Sequence, residues 1–139
     1  MASRKRFRTE TVEASIEDAL DGAADIRTLY EEMEEWQSSF EGANMEHMLK
    51  YDEVTAAVEA LEECGEVERI ADEIKESEAV LEEKITYVRI SPYGKKPEPR
   101  WMTCANACNM LQAVAEHINN EELTEALSEM ETVDFPSMY

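Results

Sequence analysis

The residues best spaced for chemistry are Glu31, Glu32 and Glu35, a Glu-Glu-x-x-Glu run. On a helix, positions three and four apart share a face, so the three carboxylates would line one side. Together with a second acidic pair from a neighbouring helix they could ligate a divalent cation such as Mg²⁺, which takes oxygen ligands. A basic loop carrying Lys95, Lys96 and Arg100 could then hold phosphates. Against this stands the ease with which a chain holding 33 acidic residues produces such spacings. The same carboxylates, with Glu34, serve equally well as a solvated face or as a face that meets a basic partner. The expectation is therefore no metal, no cofactor and no catalytic residue, with the cation site as the alternative.

Other reactive constellations are missing. His47 and His117 stand alone, and neither follows a Glu by three positions, so the Glu-x-x-His pattern of di-iron bundles is not present. There is no Gly-rich phosphate loop and no Gly-x-Ser-x-Gly or Cys/His arrangement. Cys64, Cys104 and Cys108 do not make a disulfide framework, and they read as buried free thiols in a reducing compartment. The basic N-terminus lacks the apolar stretch of a signal peptide, and no apolar run is long enough to span a bilayer.

Charge narrows the partners. The net charge is −20, and the bases outside the acidic body concentrate in two places: Arg4, Lys5, Arg6 and Arg8, then Arg89, Lys95, Lys96 and Arg100. Such a body repels nucleic acid and membranes and favours cations and basic proteins. The arm and the loop could still grip nucleic-acid phosphates, with Phe7, Tyr93 and Trp101 stacking on bases. The intramolecular reading is that the loop folds onto an acidic helix face and neutralises it.

The elements that must position these residues are helical. Gly and Pro number four each and Met eight, which suits long helices with an aliphatic, Met-filled core. Val12, Ile16, Ala19, Ala23, Ile26, Tyr30 and Met33 step by four and three, a heptad-like seam thickened by Trp36 and Phe40. Residues 1–8 read as a disordered basic arm. Thr9 or Thr11 caps a first helix over about 9–41, and Gly42-Ala43-Asn44 breaks it, with Asn44 as the next N-cap. A second helix covers about 44–83, bent or divided at Cys64-Gly65, where its two apolar stripes fall out of step. Residues 85–90, ITYVRI, are the one strand-like run, to be paired with the following loop or with the same strand of a second copy. A basic loop over 91–100, helices over about 102–119 and 121–133, and a tail at 134–139 complete the chain. The expected fold is a single all-α domain: a long antiparallel helical hairpin with a basic strand/loop insertion and a C-terminal helix pair.

Two stretches together resemble a known group. Leu29–Gly42 (LYEEMEEWQSSFEG) is followed by Leu49–Glu63 (LKYDEVTAAVEALEE), and a basic, proline-containing loop leads into Trp101–Ile118 (WMTCANACNMLQAVAEHI). This is similar to small acidic all-helical proteins encoded by tailed bacteriophages, although Trp101 and Cys104 stand where more Arg and Asp would be expected. The resemblance implies a viral origin and the cytoplasm of an infected host cell. Separately, the Glu31–Glu35 run resembles the all-α nucleoside triphosphate pyrophosphatases, whose second helix supplies Glu-x-x-Asp. Here Glu59-x-x-Glu62 or Glu63-x-x-Glu66 is the nearest match, so the last position departs from that pattern. The favoured expectation is a non-enzymatic homodimer or larger assembly that binds a basic host protein, as an acidic imitation of nucleic acid. Its candidate contacts are Glu31, Glu32, Glu34, Glu35, Arg89, Tyr93, Lys95, Lys96, Arg100 and Trp101. A pyrophosphatase using Glu31, Glu32, Glu35, Glu59 and Glu62, and a nucleic-acid or virion-associated protein using the arm and loop, are the alternatives.

Overall fold

From Ile16 onward the apolar seam is covered as helical spacing requires: Ile16, Ala19, Ala23, Ile26, Met33 and Phe40 are all buried. Upstream of Ser15 the seam stops, because Val12 lies in a strand. The computed structural model describes residues 7–45, 47–94 and 97–136. It contains β1 (Phe7–Ser15), α1 (Ile16–Leu20), α2 (Gly22–Gly42), α3 (Leu49–Ala60), α4 (Cys64–Lys75), α5 (Glu78–Leu81), β2 (Lys84–Pro92), α6 (Arg100–Ile118) and α7 (Glu121–Leu127). A 3-10 turn at Met130–Thr132 comes after α7.

The expected all-α hairpin is thus corrected to a mostly helical fold with a two-stranded antiparallel sheet. The cause is the partner requirement of ITYVRI. Backbone groups of a lone strand cost free energy unless paired, and the partner is neither the following loop nor a second copy. It is β1, whose β-branched Thr9, Thr11 and Val12 suit a pleated surface. Thr9 lies opposite Ile90, and Val12 opposite Tyr87. Phe7 and Arg8, read as part of a disordered arm, are in this strand; the rest of that arm lies outside the described residues. The true N-cap is Ser15, whose Oγ accepts the Asp18 N–H at 3.2 Å. The Ile16 N–H then donates to the Glu83 carbonyl at 2.8 Å, tying the start of the helices to the start of β2.

The second expected helix is three. α3 ends at Ala60, a turn carries Leu61 to Glu63, and α4 begins at Cys64. Splitting the helix lets both of its stripes, Val54-Ala57-Val58-Leu61 and Val67-Ile70-Ala71-Ile74, reach the buried core. Asn44 does not cap α3. It sits at φ 58°, just past α2, and the Met45 N–H donates to the Phe40 carbonyl at 2.8 Å, so Asn44 is the left-handed residue of a helix C-terminal motif. Asn119 repeats that arrangement after α6. Asn120 then caps α7, with its Oδ1 accepting the Leu123 N–H at 2.9 Å.

Two helices organise the packing. α2 lies against α3, α4 and α6, and α6 lies against α1, α2, β2 and α7. Their approach is close at Gly22, where an added Cβ would stand 3.2 Å from the Ala107 carbonyl oxygen and 3.3 Å from the Ala107 Cα. α6 is therefore buried around most of its girth, from Met102 through Cys104, Asn106, Ala107, Cys108 and Leu111 to Val114 and Ala115. The cysteines are free and buried. The hydrogen bond to Cys104, with burial, pushes the Cys108 thiol well up.

Candidate interaction surface

Helical spacing sends Thr28, Glu31, Glu32, Glu35, Ser38 and Ser39 to one side of α2, opposite Ile26, Met33 and Phe40. That side is an open groove, walled by Trp36 and by Arg100 at the first turn of α6. A smaller depression continues it past Asp25, Leu29, Glu98 and Thr103, and Arg100 and Glu32 line both.

Arg100 is the pivot of this surface. Its Nε donates to Glu32 Oε1 at 3.2 Å, and its guanidinium carbon is 6.0 Å from the Trp36 ring centroid, within cation–π range. Arg89, on β2, pairs with Glu98 at 3.6 Å. Glu98 also accepts from the Thr103 hydroxyl at 3.0 Å and from Asn106 Nδ2 at 3.4 Å. Arg89 and Arg100 are thus both bound by the chain's own carboxylates. Lys95 and Lys96 lie outside the described residues. Trp101 packs edge-on against Phe7 with centroids 5.2 Å apart, so these two rings meet each other. Tyr93 is exposed.

The acidic residues differ in their surroundings. Among the described residues, Glu31 and Glu35 have no ion-pair partner, and both are exposed. Glu34 accepts from the Tyr30 hydroxyl at 3.0 Å on a neighbouring side of the helix. Burial, with that bond and the Glu34 charge, pushes the Tyr30 phenol up. Asp25, at the end of the smaller depression, has a raised pKa: partial burial is the largest cause, Asp21 and Glu98 add to it, and Arg89 opposes it.

The alternative cation set is not assembled. Among the described residues no three His, Cys, Asp or Glu side chains are grouped to hold a metal ion, so Glu31, Glu32 and Glu35 do not converge with Glu59 and Glu62. Glu32 is paired instead with the Arg100 guanidinium. His117 pairs with Glu83 at 2.6 Å, and His47 is exposed.

Sequence reading missed two residues that build this surface. Asn106, 3% exposed, clamps β2: the Ile90 N–H donates to its Oδ1 at 2.7 Å, and its Nδ2 donates to the Ile90 carbonyl at 2.8 Å. Asn109, one turn on, donates to the Val88 carbonyl at 2.9 Å. The available signal was an Asn-x-x-Asn pair inside a helix of otherwise small apolar residues. No helix among the described residues is long and apolar enough to cross a membrane. No protein-family model matches the chain, nor does any curated protein or solved structure.

Proposed function

We propose that the chain is a non-enzymatic binding protein that presents the outer side of α2 to a cationic surface on another protein. The supporting observation is the state of its carboxylates. Glu31 and Glu35 stand one turn apart, exposed and without an ion-pair partner among the described residues, while two cations of this region are held by other groups, Arg100 by Glu32 and Trp36 and Arg27 by Glu68. A Lys or Arg side chain entering the groove would find the free carboxylates of Glu31 and Glu35. Carboxylates in a row on a rigid helix offer the charge pattern that phosphate-binding proteins recognise. The partner class is therefore a basic protein surface of the kind that grips nucleic acid. The resemblance to small acidic phage proteins supports a host or defence protein, met in the cytoplasm of an infected cell, as that partner.

The test uses an Arg- and Lys-rich peptide and follows tryptophan fluorescence. Binding should weaken steeply as salt rises, because exposed charges are screened. The Glu31→Gln/Glu35→Gln double variant should bind roughly tenfold more weakly at low salt, since each exposed ion pair contributes up to about 1 kcal/mol. Equal binding by the wild type and the double variant would refute the reading. So would Mg²⁺-dependent release of pyrophosphate from nucleoside triphosphates that the double variant loses.

A further inference from the structure

A two-stranded ribbon has two edges of backbone groups in need of partners. On β2 that edge is closed by α6 through Asn106 and Asn109. On β1 it is open. Residues of an antiparallel ladder alternate between pairs that exchange hydrogen bonds and pairs that turn their groups outward. Ile90 gives both of its groups to Asn106, so Thr9, opposite it, turns its own away from β2, and Thr11 and Glu13 do the same by alternation. Thr9, Thr11 and Glu13 are exposed, and among the described residues no backbone outside the ladder meets them. Apart from α1, which continues the strand, no other described helix packs substantially against β1.

We infer that a second copy of this chain occupies that edge, β1 against β1 in antiparallel sense about a twofold axis at Thr11, forming one sheet that runs β2–β1–β1–β2 across two chains. Two observations select this occupant. The first is register. Outward groups must face outward groups, and among the registers that satisfy this, the Thr11-centred one overlaps the whole of β1, with Phe7 opposite Ser15. It sets Glu10 against Val12 and Glu13 against Thr9, so no carboxylate directly faces another. Moving the axis to Glu10 shortens the overlap and opposes two Glu10 side chains, which is destabilising. The second observation is charge. The sequence before Phe7 ends in Arg4-Lys5-Arg6, and the register sets Phe7, where that sequence joins β1, opposite the second copy's Ser15, next to the exposed Glu17 and Asp18 of α1. Pairing thus sets the point where the most basic stretch of sequence joins β1 beside an acidic turn of the other copy, despite the net charge of −20 on each.

The experiment is sedimentation of the full chain, with two variants. The wild type should sediment at twice the 15.9 kDa of one chain. Thr11→Pro removes an N–H that the β1–β2 ladder does not use, a substitution edge strands tolerate, and should weaken self-association about tenfold or more. Thr11→Cys should crosslink to itself under mild oxidation, because directly paired Cα atoms lie about 5.5 Å apart, within disulfide range. The native cysteines are buried, so they do not confuse this readout. Glu13→Cys, facing Thr9 instead of itself, should crosslink poorly. A single-chain mass at every concentration up to about 100 μM overturns the proposal. So does an undiminished dimer of folded Thr11→Pro, or a Glu13→Cys crosslink as efficient as that of Thr11→Cys. A chain that stays monomeric until a cationic peptide joins β1 would give the edge to a foreign strand and equally overturn it. If Thr11→Pro fails to fold by circular dichroism, the cysteine pair decides.

Discussion

Replacing Asn106 with Ala tests how the sheet is held to the helices. The Ile90 N–H can only donate, which fixes the amide oxygen of Asn106 on that side and its nitrogen toward the Ile90 carbonyl, at 2.7 and 2.8 Å. Removing the side chain deletes both bonds, each with a net value near 1 kcal/mol, and leaves the Ile90 groups partly buried without a replacement, for a total of about 2–4 kcal/mol. A chain of this size should have a urea slope of about 1–3 kcal/mol per M, so the midpoint should fall by about 1–2 M. Hydrogen exchange at the Ile90 amide should accelerate more than global destabilisation explains. Asn106→Asp should be worse at neutral pH: it keeps the acceptor for the Ile90 N–H, but it loses the donor and places a second carboxylate beside Glu98, an Asn106 neighbour at 3.4 Å. An Ala variant within about 0.5 kcal/mol of the wild type, with Ile90 still protected, would refute the clamp.

Gly22→Ala should destabilise by about 1–3 kcal/mol in a thermal or urea melt, since its Cβ meets Ala107 backbone. Gly42→Ala, whose Cβ meets nothing, should be neutral or stabilising by up to about 1 kcal/mol, and equal losses at the two positions would contradict the close α2–α6 approach. Asp25 has a folded pKa above its unfolded value, so it binds its proton more tightly when folded, and stability should rise as pH falls through the folded pKa toward the unfolded one. Asp25→Asn should remove that share of the pH dependence and leave the neutral-pH melt equal or higher; an unchanged pH profile would argue against it. Low-millimolar Mg²⁺ should shift the melting temperature no more than a sodium salt of matched ionic strength. A Mg²⁺-specific rise lost in Glu31→Gln/Glu35→Gln would restore the cation site.

The seam from Ile16 to Phe40 was legible because burial on a helix writes itself as steps of three and four. The same arithmetic misled at Val12, whose step of four to Ile16 is accidental: Val12 and Ala14 are half-buried residues of a strand with period two, too short a pattern to compete. The true boundary was written locally, in Ser15-x-x-Asp18, a capping sequence directly ahead of the apolar run. The partner of ITYVRI was not legible, because strand pairing between residues near 10 and near 90 depends on where the intervening helices and α6, which holds the far edge of β2, place the two segments, and not on either segment alone. Asn44 was ambiguous for a different reason: Asn suits both an N-cap and a left-handed C-terminal position. At the surface, Glu31 and Glu35 could be read as exposed carboxylates from helical phase alone. The contact of Arg100 with Glu32 could not, since an acidic chain offers every base many possible partners.

Arg100 owes its place to contacts that carry no charge of their own. Gly22 seats α2 on the α6 backbone, Asn106 fixes α6 to β2, and Arg100 is then the first residue of α6, beside Glu32 and Trp36. Its own interactions are partly exposed, so Arg100→Ala should cost only about 1 kcal/mol of stability, from a surface-type ion pair and a cation–π contact. Its effect on binding should run the other way. Without the guanidinium, Glu32 joins Glu31 and Glu35 as a free carboxylate, and the Trp36 face is released to an incoming Lys or Arg. The variant should bind a cationic peptide several-fold more tightly than the wild type at low salt, with the gain fading as salt screens it. Fluorescence titration of both proteins measures this directly. Weaker binding by folded Arg100→Ala would mean that the arginine itself meets the partner, and the groove would then have to be assigned to an anionic ligand.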